Sequence, residues 1–181
     1  MTNDQFKSYR HNPPHLFVDD AYYMITAAVY EKRPFLSDDW TKRYLFDVIQ
    51  SFCREFDWKL LDWVILDNHY HLILKSHIGK DLSRLMGGIH RKSANQIKKR
   101  FGYRCKRFWW NYWDMCPRSE SQLYAMQNYV HYNPVKHNMV EDLKMYPWSS
   151  FPERYELLGR KTIMNQFQKY DLSQVRIRDD F

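Results

Sequence analysis

The sequence predicts a ferredoxin-like α+β fold, an antiparallel sheet with helices packed on it. Three observations carry that expectation. Segments of strand-like alternation and of helical spacing follow one another in the order strand, helix, strand, strand, helix, strand, helix. Asp67-Asn68 is a tight-turn signal between two strand-like runs, so the middle pair closes a hairpin. A length of 181 residues with 18% aromatics supplies one domain with bulky material for its core.

Residues 1–20 read as an N-terminal arm, polar at first and reaching Pro13-Pro14 before the first strand, Ala21 to Tyr30. Ser37 and Asp38 are caps for a helix to about Phe56, with Tyr44, Leu45, Val48, Ile49 and Phe52 at helical spacing. Trp58 to Leu66 returns as a strand, and Lys59–Leu66 pairs with His69–Ser76 across the turn. Alternation then places Tyr70, Leu72 and Leu74 on one side and His69, His71 and Ile73 on the other, both sides being covered. Gly79-Lys80-Asp81 leads into a long basic helix to about Phe101, weakened or kinked at Gly87-Gly88. Arg107 to Met115 supplies a further strand, and Ser119-Glu120-Ser121-Gln122 resembles a capping box that opens the helix bearing Tyr129. Pro134 disfavours helical geometry at Asn133 and sets it in the last turn. The functional domain covers 21–151. Residues 152–181 read as a mixed-charge tail, helical at most around Pro152 to Leu158.

A net charge of +7 points to a polyanionic partner. The charge is concentrated: Leu82 to Trp113 holds nine Lys or Arg and no Asp or Glu. Cys53, Cys105 and Cys116 form no C-x-x-C, which argues for reduced structural thiols over a disulfide framework or a zinc ribbon. No apolar run is long enough for a membrane span, and Met1 to Arg10 has no signal-like core, so the expected location is the cytoplasm, in association with the nucleoid.

The chemistry starts at His69-Tyr70-His71. Residues two apart on a strand share a face, so both imidazoles are presented to one divalent ion, although a pair satisfied by core hydrogen bonds fits the same pattern. Residues four apart on a helix also share a face, which aims the Tyr129 hydroxyl and the Asn133 amide at one point. Together these give metal ligands His69, His71 and Asn133 and a nucleophile, Tyr129. That is a set suited to breaking a phosphodiester through a covalent tyrosine. Nitrogen ligands favour Mn²⁺ and abundance favours Mg²⁺, with zinc open as a third option. Fourteen tyrosines compete for the nucleophile's role, Tyr132 and Tyr124 on the same helix among them, and the base that activates the phenol is not identified. His131 reads as a group on the helix surface or one that supports the ligands from behind.

The strings Asn68-His69-Tyr70-His71, Tyr129-Val130-His131-Tyr132-Asn133-Pro134-Val135-Lys136 and Tyr146-Pro147-Trp148-Ser149-Ser150, in that order, resemble the REP-associated tyrosine transposases. These are single-tyrosine members of the HUH endonuclease superfamily, related to transposases of small insertion sequences that move as single-stranded DNA. The resemblance spans roughly Tyr22 to Phe151. Asp67 departs from the proline often found there in related sequences, which affects the turn and not the ligands. The resemblance implies the same ferredoxin-like fold and recognition of a short hairpin beside single-stranded DNA.

The basic segment is the expected DNA track. His90, Arg91, Lys92, Lys98, Lys99 and Arg100 lie on the helix, Arg104, Lys106 and Arg107 beyond it, and Phe108, Trp109, Trp110, Tyr112 and Trp113 follow. At least half of these aromatics are expected in the core. Two other functions fit the residues: a domesticated relative that binds hairpins without cutting, and a metal phosphoesterase that uses water. Whether the chain acts as a monomer or a homodimer is left open by the sequence.

Overall fold

Alternation along the strands decides which way each layer packs. The structure, a computed structural model, describes residues 6–7 and 15–175. Its elements are β1 (Phe6–Lys7), β2 (His15–Leu16), β3 (Tyr22–Ala28), α1 (Asp39–Glu55), β4 (Lys59–Ile65), β5 (His69–Lys75), α2 (Leu82–Phe101), β6 (Trp113–Met115), α3 (Glu120–Lys136) and α4 (Phe151–Lys169). The main sheet has the order β4-β5-β3-β6 with every neighbouring pair antiparallel, the ferredoxin-like arrangement. Tyr23, Ile25 and Ala27 of β3 and Tyr70, Leu72 and Leu74 of β5 share one core cluster with Leu45 and Ile49 of α1 and Leu85 and Ile89 of α2. Met24, Val64 and Ile73 turn to the other side, where α3 covers them with Ala125, Met126 and Val130.

Local chemistry fixes the ends. The Asp38 carboxylate accepts from the Thr41 amide at 3.1 Å and caps α1, an interaction worth about 1 kcal/mol. Ser119 caps α3 by accepting from the Gln122 amide, while the Gln122 side chain reaches back to the Arg118 amide at 2.7 Å. Asp67 holds the β4–β5 turn against α1 by pairing with the buried Lys42 ammonium at 2.7 Å. The three cysteines are free thiols.

Four local expectations change. The second helix runs unbroken through Gly87-Gly88. A Cβ on Gly88 would lie 2.2 Å from a ring carbon of Phe52, so this glycine allows α1 and α2 to approach rather than bending the helix. Of the strand expected over Arg107 to Met115, only Trp113–Met115 is regular, joined by an isolated bridge from Trp109 to Val29. Asn133 does fall in the last turn of α3, but Pro134 sits inside the helix, so Asn133 keeps the helical geometry that a following proline disfavours. The helix after Ser150 continues to Lys169, broken locally at Gly159 with φ 76°. It docks on α3 through Asn128, whose amide donates to the carbonyls of Gln166 at 3.1 Å and Tyr170 at 2.9 Å and accepts from the Gln166 side chain at 2.7 Å.

Candidate active site

The β5 alternation and the α3 periodicity meet on the α3 side of the sheet. The His69 and His71 rings stand 5.1 Å apart at 86°, and the Tyr129 ring lies 5.4 Å from that of His71. Each imidazole is oriented through Nδ1: His69 meets the Asn68 side-chain oxygen at 2.7 Å, and His71 meets the Thr26 hydroxyl at 2.8 Å. Nε2 is thereby left to face the site, as in a histidine positioned for a metal. The Asn133 amide nitrogen donates to the Tyr129 carbonyl at 2.8 Å, which fixes its oxygen. His71 Nε2 and Asn133 Oδ1 are both buried, and neither has a hydrogen-bond partner among the described residues. Orphaned polar atoms of this kind are costly, and a divalent ion bound by neutral His71 and the amide oxygen would satisfy both at once. Burial, with His137 and Lys136 nearby, outweighs the opposing pull of the Asn133 side chain and pushes the His69 pKa down to about 3, and burial with the neighbouring His69 likewise outweighs Asn133 and holds His71 well below the usual histidine range. Neutral imidazole is the form a metal needs. Among the described residues no group of three or more His, Cys, Asp or Glu gathers for a metal, so an ion here would rest on two imidazoles and an amide.

Burial separates the tyrosines. Tyr129 is 8% exposed against the histidines, whereas Tyr132 is 38% exposed and Tyr124 stacks on Tyr170 at 4.8 Å. Two neighbours of the site have no role in the sequence reading. Lys136 donates to the Tyr129 hydroxyl at 3.1 Å, and the His137 ring stands 4.8 Å from that of His69. Lys136 is seven residues beyond Tyr129, two helical turns on, and that spacing is the signal that could have found it.

His131 is neither on the surface nor beside the ligands. Fully buried, and two residues before Asn133 and so on nearly the opposite side of α3, it pairs with Asp62 of β4 at 3.0 Å. Asp62 also accepts from Gln127 at 2.7 Å and faces Arg154 of α4 at 3.6 Å. Burial pushes its carboxyl up, but His131, Arg154 and Gln127 outweigh that and hold it below its ordinary value. This cluster clamps the tyrosine helix to the sheet and to α4.

The sequence profile of the IS200-like transposases matches residues 17–133, more than half of the chain. The chain belongs to the IS200-like transposase family. A Haemophilus influenzae protein assigned as a REP-associated tyrosine transposase is 32% identical over 130 residues, which cover 62% of this chain and 74% of that protein. The REP-associated tyrosine transposase of Escherichia coli is 28% identical over 101 residues, covering 54% and 57%. A solved structure of a REP-associated tyrosine transposase bound to a REP hairpin superposes with a TM-score of 0.65, over 97% of this chain and 94% of that one, at 20% identity, and so shares the fold.

In this transposase the basic helix lies across the sheet from the tyrosine. Arg91, Lys92, Lys99 and Arg100 are exposed on α2 and Lys98 is half-buried, yet α2 packs on the side opposite His71 and Tyr129. The loop after α2, with Arg104, Lys106 and Arg107 exposed, carries the basic track to the sheet edge, where the Trp110 amide donates to the Ala28 carbonyl at 2.8 Å. His90 does not join that track. Its Nε2 meets the Tyr70 hydroxyl at 2.9 Å and its ring stacks on Trp109 at 4.8 Å, and burial pushes its pKa down to about 3. No helix among the described residues is long and apolar enough to cross a membrane.

Proposed function

We propose that this transposase cleaves and rejoins single-stranded DNA next to hairpins through a covalent phosphotyrosine on Tyr129, with Mg²⁺ or Mn²⁺ as cofactor. One observation carries the reading: the Tyr129 ring stands against His71, and the buried His71 Nε2 and Asn133 Oδ1 have no hydrogen-bond partner among the described residues. The Tyr129 hydroxyl gives up its proton as its oxygen attacks phosphorus, the bond from phosphorus to the 3′-oxygen breaks, and that oxygen leaves with the electron pair and takes up a proton from solvent. The 5′-phosphate remains on Tyr129. One phosphodiester replaces another, so attack by a 3′-hydroxyl reverses the step and joins strands without ATP.

Lys136 keeps a positive charge beside the attacking oxygen and, after transfer, beside the phosphate. His69, His71 and Asn133 would hold the divalent ion, which when bound supplies charge stabilisation on a non-bridging phosphate oxygen and on the departing 3′-oxygen. Thr26 and Asn68 keep the two imidazoles turned for that task. Arg91, Lys92, Lys98, Lys99, Arg100, Arg104, Lys106 and Arg107 provide the phosphate track. The hairpin enters from the solved relative, which is bound to one.

The test is a denaturing gel with the strand labelled at its 3′ end. The fragment downstream of the cut is expected to migrate with the protein. A freely migrating fragment would make water the nucleophile, and uncut DNA would leave binding alone.

A further inference from the structure

The strand that borders the site is unevenly paired. Val29, just past β3, bridges Trp109 while Thr26 pairs with Trp113, so three residue steps from Thr26 to Val29 face four from Trp109 to Trp113. The irregular stretch between the Trp109 bridge and β6 thus carries one extra residue, as a bulge does, and that residue reverses the alternation between the two. Trp109 accordingly packs on Tyr70 at 5.4 Å on the α1/α2 side. Trp113, opposite Thr26, takes the other side, the side of His71. Trp110, one step past Trp109 and bonded to Ala28, also takes that side.

Two rows therefore cross the sheet on the site's side. One runs His69, Ala28, Trp110 and the other His71, Thr26, Trp113. Two strand spacings put each tryptophan backbone about 10 Å from that of its histidine. The Tyr30 ring meets that of Trp110 at 4.4 Å, and the Arg107 guanidinium lies over both, at 5.6 Å and 5.5 Å. Tyr30, Trp110 and Trp113 are half-buried and Arg107 is exposed. Among the described residues the two apolar cores take in Trp109 and Tyr112 but neither Tyr30 nor Trp110.

We infer that Trp110 and Trp113, with Tyr30 and Arg107, form a shelf on which unpaired bases adjoining the scissile phosphate stack. The inference rests on the single-stranded DNA reading above and names how that substrate is held. An aromatic face accepts any unpaired base, whereas duplex bases are already stacked on one another, so the shelf selects single strands by structure rather than by sequence. Arg107 adds a phosphate partner where the basic track turns the sheet edge.

The test measures binding by fluorescence anisotropy at one fixed salt, without divalent ion, for the full chain and its Trp110→Ala variant. The probes are an oligothymidylate, an abasic strand of equal length and a blunt DNA hairpin. Trp110→Ala is expected to weaken the oligothymidylate about 5- to 100-fold while leaving the abasic strand and the blunt hairpin within about twofold. Trp110→Phe should restore most of the affinity. Circular dichroism checks that the variant is folded, and the wild-type preference for oligothymidylate over the abasic strand reads the same stacking without any substitution. Equal affinity of the wild type for those two strands, or an equal weakening by Trp110→Ala on all three probes, would overturn the shelf. A covalent adduct without base-dependent binding keeps the cleavage reading and removes the shelf, and the converse result does the reverse.

Discussion

His71 and His90 lie on opposite sides of one sheet, and the difference between them separates structure from chemistry. On the α1/α2 side His90 is closed in, bonded to Tyr70 and stacked on Trp109. On the α3 side His71 is fully buried where His90 is half-buried, but among the described residues only its Nδ1 has a partner, and the Asn133 amide oxygen nearby also has none. A buried polar atom without a partner costs stability. Other buried atoms among the described residues also go unpaired, Trp58 Nε1 on the α1/α2 side among them; what sets His71 apart is that its ring stands against a tyrosine.

The widest separation between the two sides is expected from ligand removal. His71→Ala should abolish adduct formation and weaken Mn²⁺ binding beyond detection by calorimetry, with the fold retained in circular dichroism. Asn133→Ala should be milder, since water replaces a neutral amide oxygen. Unchanged cleavage in His71→Ala would erase the distinction between the two histidines.

Acid should act on both sides. His69, His71 and His90 have folded pKa values below the ordinary 6.5, so the unfolded chain takes up protons that the native state refuses. Stability is then full above about pH 7 and is lost as pH falls from 6.5 toward 3. The share of His90 alone is about 2 kcal/mol at pH 5. Replacing His90 and its partner together, as His90→Leu with Tyr70→Phe, should flatten the acid limb of a urea-melt series. Added Mn²⁺ should steepen what remains, because the ion competes with protons only at the α3 side.

Orientation comes next in size. Thr26→Val removes the hydroxyl that turns His71 and should weaken Mn²⁺ by roughly 10- to 100-fold with little change in melting temperature. Unaltered affinity would mean that packing alone sets the ring. The smallest effect belongs to the far side. Neutralising Arg91, Lys98 and Lys99 should lower the slope of log K against log salt by roughly 0.7 for each phosphate that no longer meets a cation, with Mn²⁺ binding untouched. An unaltered slope would put the DNA wholly on the α3 side.

Much of this is legible in the sequence, because strand and helix periods are local. Alternation puts His69 and His71 together, helical spacing puts Tyr129 and Asn133 together, and the structure brings the four side chains to one place. What escapes depends on tertiary placement. Nothing in the basic run states which side of the sheet α2 covers. The extra residue between Trp109 and Trp113 is invisible without its partner strand, so strict alternation misassigns an indole. His131 reads as peripheral because its partner, Asp62, is 69 residues away in sequence and reaches it only through the β4–α3 packing. The helix after Ser150 reads as short because its apolar positions are few, and its hold on α3 comes from amides such as Gln166 and Asn128.

Tyr129→Phe removes one oxygen and nearly nothing else, and Tyr132→Phe does the same one turn along. With a hairpin carrying single-stranded flanks, labelled at its 3′ end, and Mn²⁺ present, wild type and Tyr132→Phe should form a protein–DNA adduct stable to denaturation. Tyr129→Phe should bind the same DNA with unchanged affinity and form none. An adduct that survives in Tyr129→Phe and vanishes in Tyr132→Phe would contradict Tyr129 as the nucleophile.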